Sequence, residues 1–334
     1  MHEGVDPTDP TGADVDADVR VDVLVARRAE LLRLDADDPT RARLPELTRL
    51  VARHFDPGHL ETRRITLNAP RALLDRIVAC ESVHTVRSPD DLRNRLDADR
   101  RCYAFVHPGA LDHPVVVVQI ALTLGFVERI ADILDTEAPV LDAAAADTAV
   151  FYSINSCEPG LAGINLGGAL LDRAIQRLAA ELPDVGVFAT LSPAPDLRAW
   201  VLEQLRRDAL SDAERALAPV APREAANRLA ADGWLDDGEF TAGMQRLLTA
   251  FAVRYLTTRD GTRAVDPVAN FHLSNGACVD RVCWMADTSP TGIARSLGIM
   301  VSYRYEPERL AERARSYAAT GEVVLSPGVL ALGA

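Results

Sequence analysis

The spacing of hydrophobic and polar residues first follows a helical pattern. After residue 20, apolar residues recur at three- and four-residue intervals in four segments, which predicts four short amphipathic helices. These segments are 21–34, 44–54, 70–82 and 89–96. Before them, residues 1–20 are rich in Asp, Gly, Pro and Thr and have almost no large apolar side chains, so we expect a disordered acidic tail.

After residue 100 the pattern changes to continuous apolar runs rich in β-branched residues, which predict strands. The runs are 101–107, 114–122, 148–154 and 185–191, with helices predicted over 126–134 and 166–182. Residues 196–256 are mainly helical in pattern. The remaining chain predicts strands over 279–286 and 299–305, a short helix from about residue 289, and a last helix over 309–319.

The order of these elements indicates a mixed α+β or α/β protein of several parts. We expect a tail over 1–20, a small all-helical domain over 21–98, a mixed-sheet catalytic domain over 99–320 and a C-terminal tail over 321–334.

Composition and charge exclude several classes of function. The net charge of -13 argues against bulk electrostatic binding of nucleic acid or an anionic membrane. All 36 basic residues are arginine, so Schiff-base lysine chemistry is excluded. The N-terminus lacks a signal-peptide pattern and no apolar run is long enough to span a bilayer, so we expect a cytoplasmic protein. The five cysteines are scattered, without the short paired spacing of a zinc site, so we expect reduced thiols and no metal.

A glycine-rich segment lies between a predicted strand and a predicted helix. Its residues Gly160, Leu161, Gly163, Asn165 and Gly167 allow the backbone to approach a ligand beside unpaired helix N–H groups, which attract phosphate. A purely steric need for glycine explains such a turn equally well. The loop lacks the lysine of a phosphate-binding P-loop and the glycine spacing of a dinucleotide site. It resembles the CoA-binding turn of the GNAT acyltransferase fold, although Gly160 and Asn165 depart from the usual residue types.

Four side chains are candidates for chemistry. His272 belongs to a His-x-x-Asn sequence that we place on a short segment between loops, and its imidazole titrates near neutrality. Ser192 follows a predicted strand and precedes Pro193, without the Gly-x-Ser-x-Gly elbow of a serine hydrolase. Tyr305 and Ser153 lie on predicted strands. Taken one at a time, each residue has an ordinary structural explanation.

Several short sequences together resemble the malonyl-CoA decarboxylase family. In chain order they begin Glu81-Ser82-Val83-His84, Arg101-Cys102-Tyr103, Phe151-Tyr152-Ser153-Ile154, Gly160-Leu161-Ala162-Gly163 and Gly186-Val187-Phe188. They continue Leu191-Ser192-Pro193, Phe271-His272-Leu273, Asn275-Gly276-Ala277, Trp284-Met285-Ala286-Asp287 and Tyr303-Arg304-Tyr305. Each is common in isolation, but their order is not.

The resemblance implies a helical N-terminal domain followed by a GNAT-like catalytic domain, and a homo-oligomer. It implies that Ser192 and His272 are the active-site serine and histidine and that Tyr305 and Ser153 match further site positions. The implied reaction is decarboxylation of malonyl-CoA through a thioester enolate, with no cofactor because CoA is part of the substrate. Two departures are a shorter helical domain and Asn165, where some relatives have an acidic residue.

The sequence leaves other functions open. Methylmalonyl-CoA is an alternative substrate, because one methyl group in a hydrophobic pocket changes the discrimination between substrates by only about 1–3 kcal/mol. A malonyl group on a carrier protein is another. A GNAT-like fold also serves acyl transfer to an amine, and a non-enzymatic acyl-CoA sensor is a third alternative.

Overall fold

The computed structural model describes residues 21–35, 37–108 and 110–333, with only the backbone at 110–112. In it, the first helices form where the sequence pattern places them. They are α1 (Val21–Arg33), α2 (Leu44–His54), α3 (Arg71–Cys80) and α4 (Pro89–Arg95). Ser88 caps α4 by accepting a hydrogen bond from the Asp91 amide, and Pro89 occupies the first helical position, where no amide donor is needed. The predicted acidic tail, 1–20, lies outside the described residues.

A strand that the sequence pattern did not predict lies among these helices. Strand β1 (Glu61–Ile65) pairs antiparallel with β2 (Arg100–His107). Only Thr62 and Ile65 of β1 are buried, and they are three residues apart, so they lie on opposite faces of the strand. The other three residues are charged, so β1 has no apolar alternation. The sheet therefore begins within the range 21–98, where only helices were expected.

In the described part of the chain the main sheet has eight strands. After β1 and β2 come β3 (Ala110–Thr123), β4 (Thr148–Ser156), β5 (Val187–Thr190) and β6 (Ser192–Pro193). A small two-stranded hairpin, β7 (Arg259–Asp260) and β8 (Arg263–Ala264), lies apart from it, and β9 (Cys278–Cys283) and β10 (Met300–Tyr305) complete the main sheet. The order is β1-β2-β3-β4-β5-β10-β6, with β9 paired to β10. Strands β4 and β5 are parallel, whereas the other pairs are antiparallel, which confirms a mixed sheet.

Helix α5 (Ile130–Leu134) is shorter than predicted, and α6 (Leu166–Glu181) connects the parallel strands β4 and β5. Leu170, Leu171, Ala174 and Leu178 of α6 are buried against the sheet, and full burial of each leucine stabilises the fold by about 1.5–3 kcal/mol. The predicted order of strand, glycine loop, helix and strand is confirmed.

The remaining helices cover one end of the sheet. They are α7 (Leu197–Arg206), α8 (Asp212–Leu217), α9 (Pro222–Ala230), α10 (Gly238–Thr257), α11 (Pro267–Ser274), α12 (Pro290–Ser296), α13 (Leu310–Thr320) and α14 (Pro327–Leu332). The placement of His272 between loops was wrong, because this residue lies on α11. The helix has eight residues, too few for the apolar periodicity to be recognised.

The expectation that all cysteines are reduced is also wrong. Cys80, at the end of α3, forms a disulfide with Cys157, which directly follows β4. The pair is 77 residues apart in sequence, and its proximity depends on the packing of α3 against the sheet, which spacing does not reveal. Cys102, Cys278 and Cys283 are free and buried.

Candidate active site

Three of the four candidate catalytic side chains form one continuous hydrogen-bonded chain. His272 Nε2 lies 3.1 Å from Ser192 Oγ, and His272 Nδ1 lies 2.7 Å from the hydroxyl oxygen of Tyr305. The Ser192 hydroxyl also donates to Thr190 Oγ1 at 3.0 Å. All three predicted residues are buried, with exposed fractions of 7% for Ser192, 3% for His272 and 2% for Tyr305.

Strand pairing and a capped helix bring these residues together. Ser192 on β6 pairs with Val301 on β10, and Tyr305 lies four residues further along β10. Because alternate residues of a strand point to the same face, Val301 and Tyr305 share a face of β10. Asp266 caps α11 by accepting from the Ala269 amide, and this cap begins the helix that carries His272.

Burial determines the protonation of the chain. Desolvation lowers the pKa of His272 to about 3, so the imidazole is neutral at physiological pH. Desolvation also raises the pKa of Tyr305, so its hydroxyl keeps its proton. In the described part of the chain the Tyr305 hydroxyl has His272 Nδ1 as its hydrogen-bond partner, and donation to Nδ1 leaves the imidazole proton on Nε2, facing Ser192.

Tyr303 holds the histidine ring from one side. Its ring stacks on that of His272, with centroids 4.4 Å apart and an interplanar angle of 22°. The Tyr303 hydroxyl is buried and has no hydrogen-bond partner among the described residues. The contact between Tyr303 and His272 is therefore one of ring packing.

A cavity of about 840 Å³ opens beside Ser192 and His272. It extends past the glycine loop, and its described lining includes Ser153, Ile154, Leu161, Ala162, Gly163, Ile164, Asn165, Gly167, Ser192, Arg263, Asn270, Phe271, His272 and Tyr317. Arg263, on β8, is the only Asp, Glu, Lys or Arg residue in the described lining. Tyr305 is not among these lining residues and contacts the cavity through His272.

Ser153 lines the same cavity but belongs to a second polar cluster. Its hydroxyl donates to Glu81 Oε2 at 2.6 Å and accepts from Asn155 Nδ2 at 2.7 Å. Glu81 also accepts from Gln119 Nε2, at 2.7 Å, and from two backbone amides. Ser153 is therefore rigidly oriented by a buried carboxylate that sequence spacing did not identify as part of the site.

The glycine loop has two different reasons for its glycines. A Cβ at Gly160 would lie 2.0 Å from the carbonyl oxygen of Val25 on α1, so this glycine is required by close packing. Gly163 has a φ of +80°, which favours glycine, and nothing would obstruct a Cβ there. Asn165 caps α6 by accepting from the Gly168 amide, and its Nδ2 donates to Asn275 Oδ1.

This last contact connects the loop to the helix that carries His272. A Cβ at Gly168 would lie 2.0 Å from Asn275 Oδ1, and one at Gly167 would lie 3.2 Å from the ring of Phe271. Helices α6 and α11 thus approach closely through the glycines at the start of α6. The Asp266-Pro267 pair was a sequence signal for the start of α11, whereas no local signal marked Glu81 or Asn155 as neighbours of Ser153.

Residues 58–332 match the profile of the malonyl-CoA decarboxylase C-terminal domain. The chain belongs to this family. It is 33% identical to the mitochondrial malonyl-CoA decarboxylase of Mus musculus, over 94% of this chain and 66% of that protein. It is also 33% identical to that of Anser anser anser, over 85% of this chain and 60% of that protein. The chain thus spans about two thirds or less of the length of these curated relatives.

Solved structures give the same relationship. The malonyl-CoA decarboxylase of Agrobacterium vitis superposes with a TM-score of 0.85 and 36% identity, covering 93% of this chain and 75% of that one. The malonyl-CoA decarboxylase of Rhodopseudomonas palustris gives a TM-score of 0.83 and 35% identity, covering 92% and 75%. The mixed α+β fold with a helical N-terminal part is confirmed.

The described residues include neither a metal-binding cluster nor a membrane-spanning helix. No group of three or more His, Cys, Asp or Glu side chains is arranged to hold a metal ion in 21–35, 37–108 and 110–333. Over the same ranges, no helix combines the length and apolar character needed to cross a membrane.

Proposed function

We propose that the chain decarboxylates malonyl-CoA to acetyl-CoA and CO2. The observation that carries the proposal is the buried Ser192–His272–Tyr305 chain beside a cavity that also reaches the glycine loop. Membership of the malonyl-CoA decarboxylase family supports it independently.

The proposed reaction breaks the bond between the malonyl carboxylate and the α-carbon. The bonding electrons move into the thioester carbonyl and form an enolate, CO2 leaves, and a proton is then added to the α-carbon. Because the thioester accepts the electrons, we propose that no cofactor or metal takes part. The protein must supply hydrogen-bond donors to the enolate oxygen and a proton for carbon.

His272 and Ser192 have the chemistry for these two tasks. A neutral imidazole with its proton on Nε2 is a hydrogen-bond donor that does not itself add positive charge to the cavity. We assign His272 to stabilisation or protonation of the enolate, and Ser192 to orienting the imidazole or contacting the malonyl group. Tyr305 acts as a positioning residue because its hydroxyl contacts His272 and does not line the cavity.

The low charge of the described cavity lining favours loss of CO2. A malonyl carboxylate beside Ser192, His272 and Ser153 exchanges water for neutral hydroxyl and imidazole groups, which stabilise its charge less well. The charge disperses when CO2 forms, so the reaction relieves this unfavourable solvation. Ser153 donates its one proton to Glu81 and accepts from Asn155, so it presents a fixed, neutral hydroxyl oxygen with one lone pair left beside the malonyl group.

The CoA part of the substrate is assigned to the loop and to the cavity lining beside it. We propose that Gly160, Leu161, Gly163, Asn165 and Gly167 form the loop that binds the diphosphate through backbone amides. Arg263 supplies the positive charge within the described lining and is assigned to a CoA phosphate.

The deciding experiment measures acetyl-CoA formed from malonyl-CoA by the purified protein, with EDTA present and no amine acceptor. We expect turnover in the wild type, its loss by about 10²–10³-fold in Ser192→Ala and His272→Ala, and little change in KM. His59→Ala, at an exposed histidine outside the cavity lining, is the matched control. Full activity of His272→Ala contradicts the assignment. Release of free CoA that requires an added amine identifies an acyltransferase instead.

The remaining properties follow from the resemblance and need separate tests. We propose that the protein is a cytoplasmic homo-oligomer with functional parts over 21–98 and 99–320, to be tested by fractionation, light scattering and limited proteolysis. The ratio of kcat/KM for malonyl-CoA and methylmalonyl-CoA measures substrate preference. A malonyl group on a carrier protein is tested in the same assay.

A further inference from the structure

A buried arginine from the N-terminal helices reaches the glycine loop. Arg28 on α1 is 4% exposed, and its guanidinium donates to the Gly160 carbonyl at 2.6 Å and the Ala162 carbonyl at 2.9 Å. Its Nε donates to Thr48 Oγ1 on α2 at 3.0 Å. Arg28 therefore connects two helices to a loop more than 130 residues away in sequence.

The charge of Arg28 is not neutralised by a carboxylate in the described part of the chain. Burial of a charge is unfavourable unless the charge is paired or fully hydrogen-bonded. By contrast, Arg95, which is comparably buried, forms an ion pair with Asp91. The positive charge of Arg28 therefore acts on the loop and on whatever the loop binds.

The hydrogen bond to Ala162 determines where the next amide points. The described peptide bonds are trans, and in a trans peptide the C=O and the following N–H point in opposite directions. Because the Ala162 carbonyl points to Arg28, the Gly163 N–H points away from it. Gly163 lines the cavity, and its N–H has no hydrogen-bond acceptor within the described chain. This amide is thus held ready for an acceptor from a ligand.

Close packing fixes the other end of the same loop. The 2.0 Å separation between a Cβ at Gly160 and the Val25 carbonyl oxygen shows that the loop backbone lies directly against α1. Helix α1 thus fixes the loop by shape at Gly160 and by hydrogen bonds at Gly160 and Ala162. An anionic group is the ligand that matches a free amide backed by a buried cation.

We propose that Arg28 is a positioning residue for the diphosphate of the acyl-CoA substrate, because it orients the Gly160–Gly163 loop and places a positive charge behind it. This inference rests on the proposed function. It assigns to α1 a direct effect on substrate affinity, in addition to any part in folding or assembly.

The test compares two substrates that differ in the diphosphate. Malonyl-CoA carries it, whereas malonyl-pantetheine has the same thioester and lacks the nucleotide and its phosphates. For Arg28→Gln we expect KM for malonyl-CoA to rise about tenfold or more with kcat within about twofold, as for the loss of a hydrogen-bonded charge. The kinetic constants for malonyl-pantetheine should stay within about twofold of the wild type.

Two further variants separate positioning from stability. Arg27→Ala removes a neighbouring arginine that is about half exposed and pairs with Glu30, so it should leave both substrates unaffected. Arg28→Lys keeps the charge but not the planar fork that bridges two carbonyls, so KM for malonyl-CoA should be intermediate. Thermal unfolding of each variant reports whether the fold is intact.

An equal loss with both substrates, or no change in KM for malonyl-CoA, overturns the inference. If the wild type turns over neither substrate, the proposed function fails, and calorimetric binding of CoA and pantetheine then tests Arg28 alone. In that case Arg28→Gln should weaken CoA binding about tenfold and leave pantetheine binding unchanged. Equal affinities of wild type and Arg28→Gln for CoA would overturn the inference.

Discussion

Replacement of Tyr305 by phenylalanine tests the direction of the hydrogen bonds around His272. The variant keeps the aromatic ring and removes the hydroxyl that lies 2.7 Å from His272 Nδ1. The buried nitrogen then lacks its partner, which costs about 1–3 kcal/mol. Nothing then holds the imidazole proton on Nε2, so the donor that faces Ser192 is no longer fixed.

The same energy gives the expected loss of activity. If the loss of the hydrogen bond raises the activation free energy by the same amount, about 1–3 kcal/mol, kcat should decrease by roughly 5- to 150-fold. KM should change by less than about twofold because Tyr305 does not line the cavity. Steady-state assay of acetyl-CoA formation measures both constants, and urea unfolding measures the loss of stability.

Tyr303→Phe is the matched control for this prediction. Tyr303 lies two residues away on β10 and is equally buried, but its hydroxyl has no partner among the described residues. The ring stacked on His272 is retained, so kcat should stay within about twofold and stability should be unchanged or slightly higher. A Tyr305→Phe enzyme with wild-type kcat, or an equal loss in Tyr303→Phe, would refute the proposed hydrogen-bond directions.

Three further predictions concern stability. Burial lowers the pKa of His272 from its usual 6.5 to about 3. Below pH 6.5 the unfolded chain therefore binds a proton that the native state excludes. The contribution of His272 to the free energy of unfolding is thus fully present above pH 6.5 and is lost as the pH falls. The difference in unfolding free energy between wild type and His272→Gln should therefore decrease by about 1.4 kcal/mol per pH unit below pH 6.5, and a difference independent of pH contradicts the assignment. Gly160→Ala should destabilise the fold by about 1–3 kcal/mol in thermal unfolding. The control Gly186→Ala, which has no atom within 4 Å of the new Cβ, should not. Equal melting temperatures of the two variants would contradict the contact between Gly160 and α1. Reduction of the Cys80–Cys157 disulfide should lower the unfolding free energy by about 2–4 kcal/mol, and the absence of a linked peptide in a non-reduced digest would exclude the bond.

Local patterns in the sequence were enough to predict most regular elements. The helices over 44–54 and 166–182 were confirmed to within one residue because their apolar faces are long and regular. Strand β1 was missed because it has only five residues and has charged residues on both faces, so it lacks apolar alternation. Helix α11 was missed because Asn270 and His272 occupy positions that an ordinary amphipathic helix would give to apolar residues.

The site itself was predicted from family resemblance and not from spacing. His272 lies 80 residues from Ser192 and 33 from Tyr305, and only the pairing of β6 with β10 and the packing of α11 bring them together. Contacts between distant buried polar groups leave no local pattern, so Glu81 at Ser153 and Arg28 at the glycine loop were both missed. The roles of all these residues stay predictions until the variants are assayed.

The pairing of β1 with β2 has a practical consequence for anyone who divides this chain. A fragment that begins at residue 99 would retain every residue of β2 but lose the strand that covers its outer edge. Seven consecutive residues of β2, Arg100–Val106, are buried, so the freed edge would present unpaired amides and carbonyls next to buried side chains. Such an edge recruits strands from other molecules. Recombinant fragments of this kind should therefore aggregate more readily than fragments that keep β1.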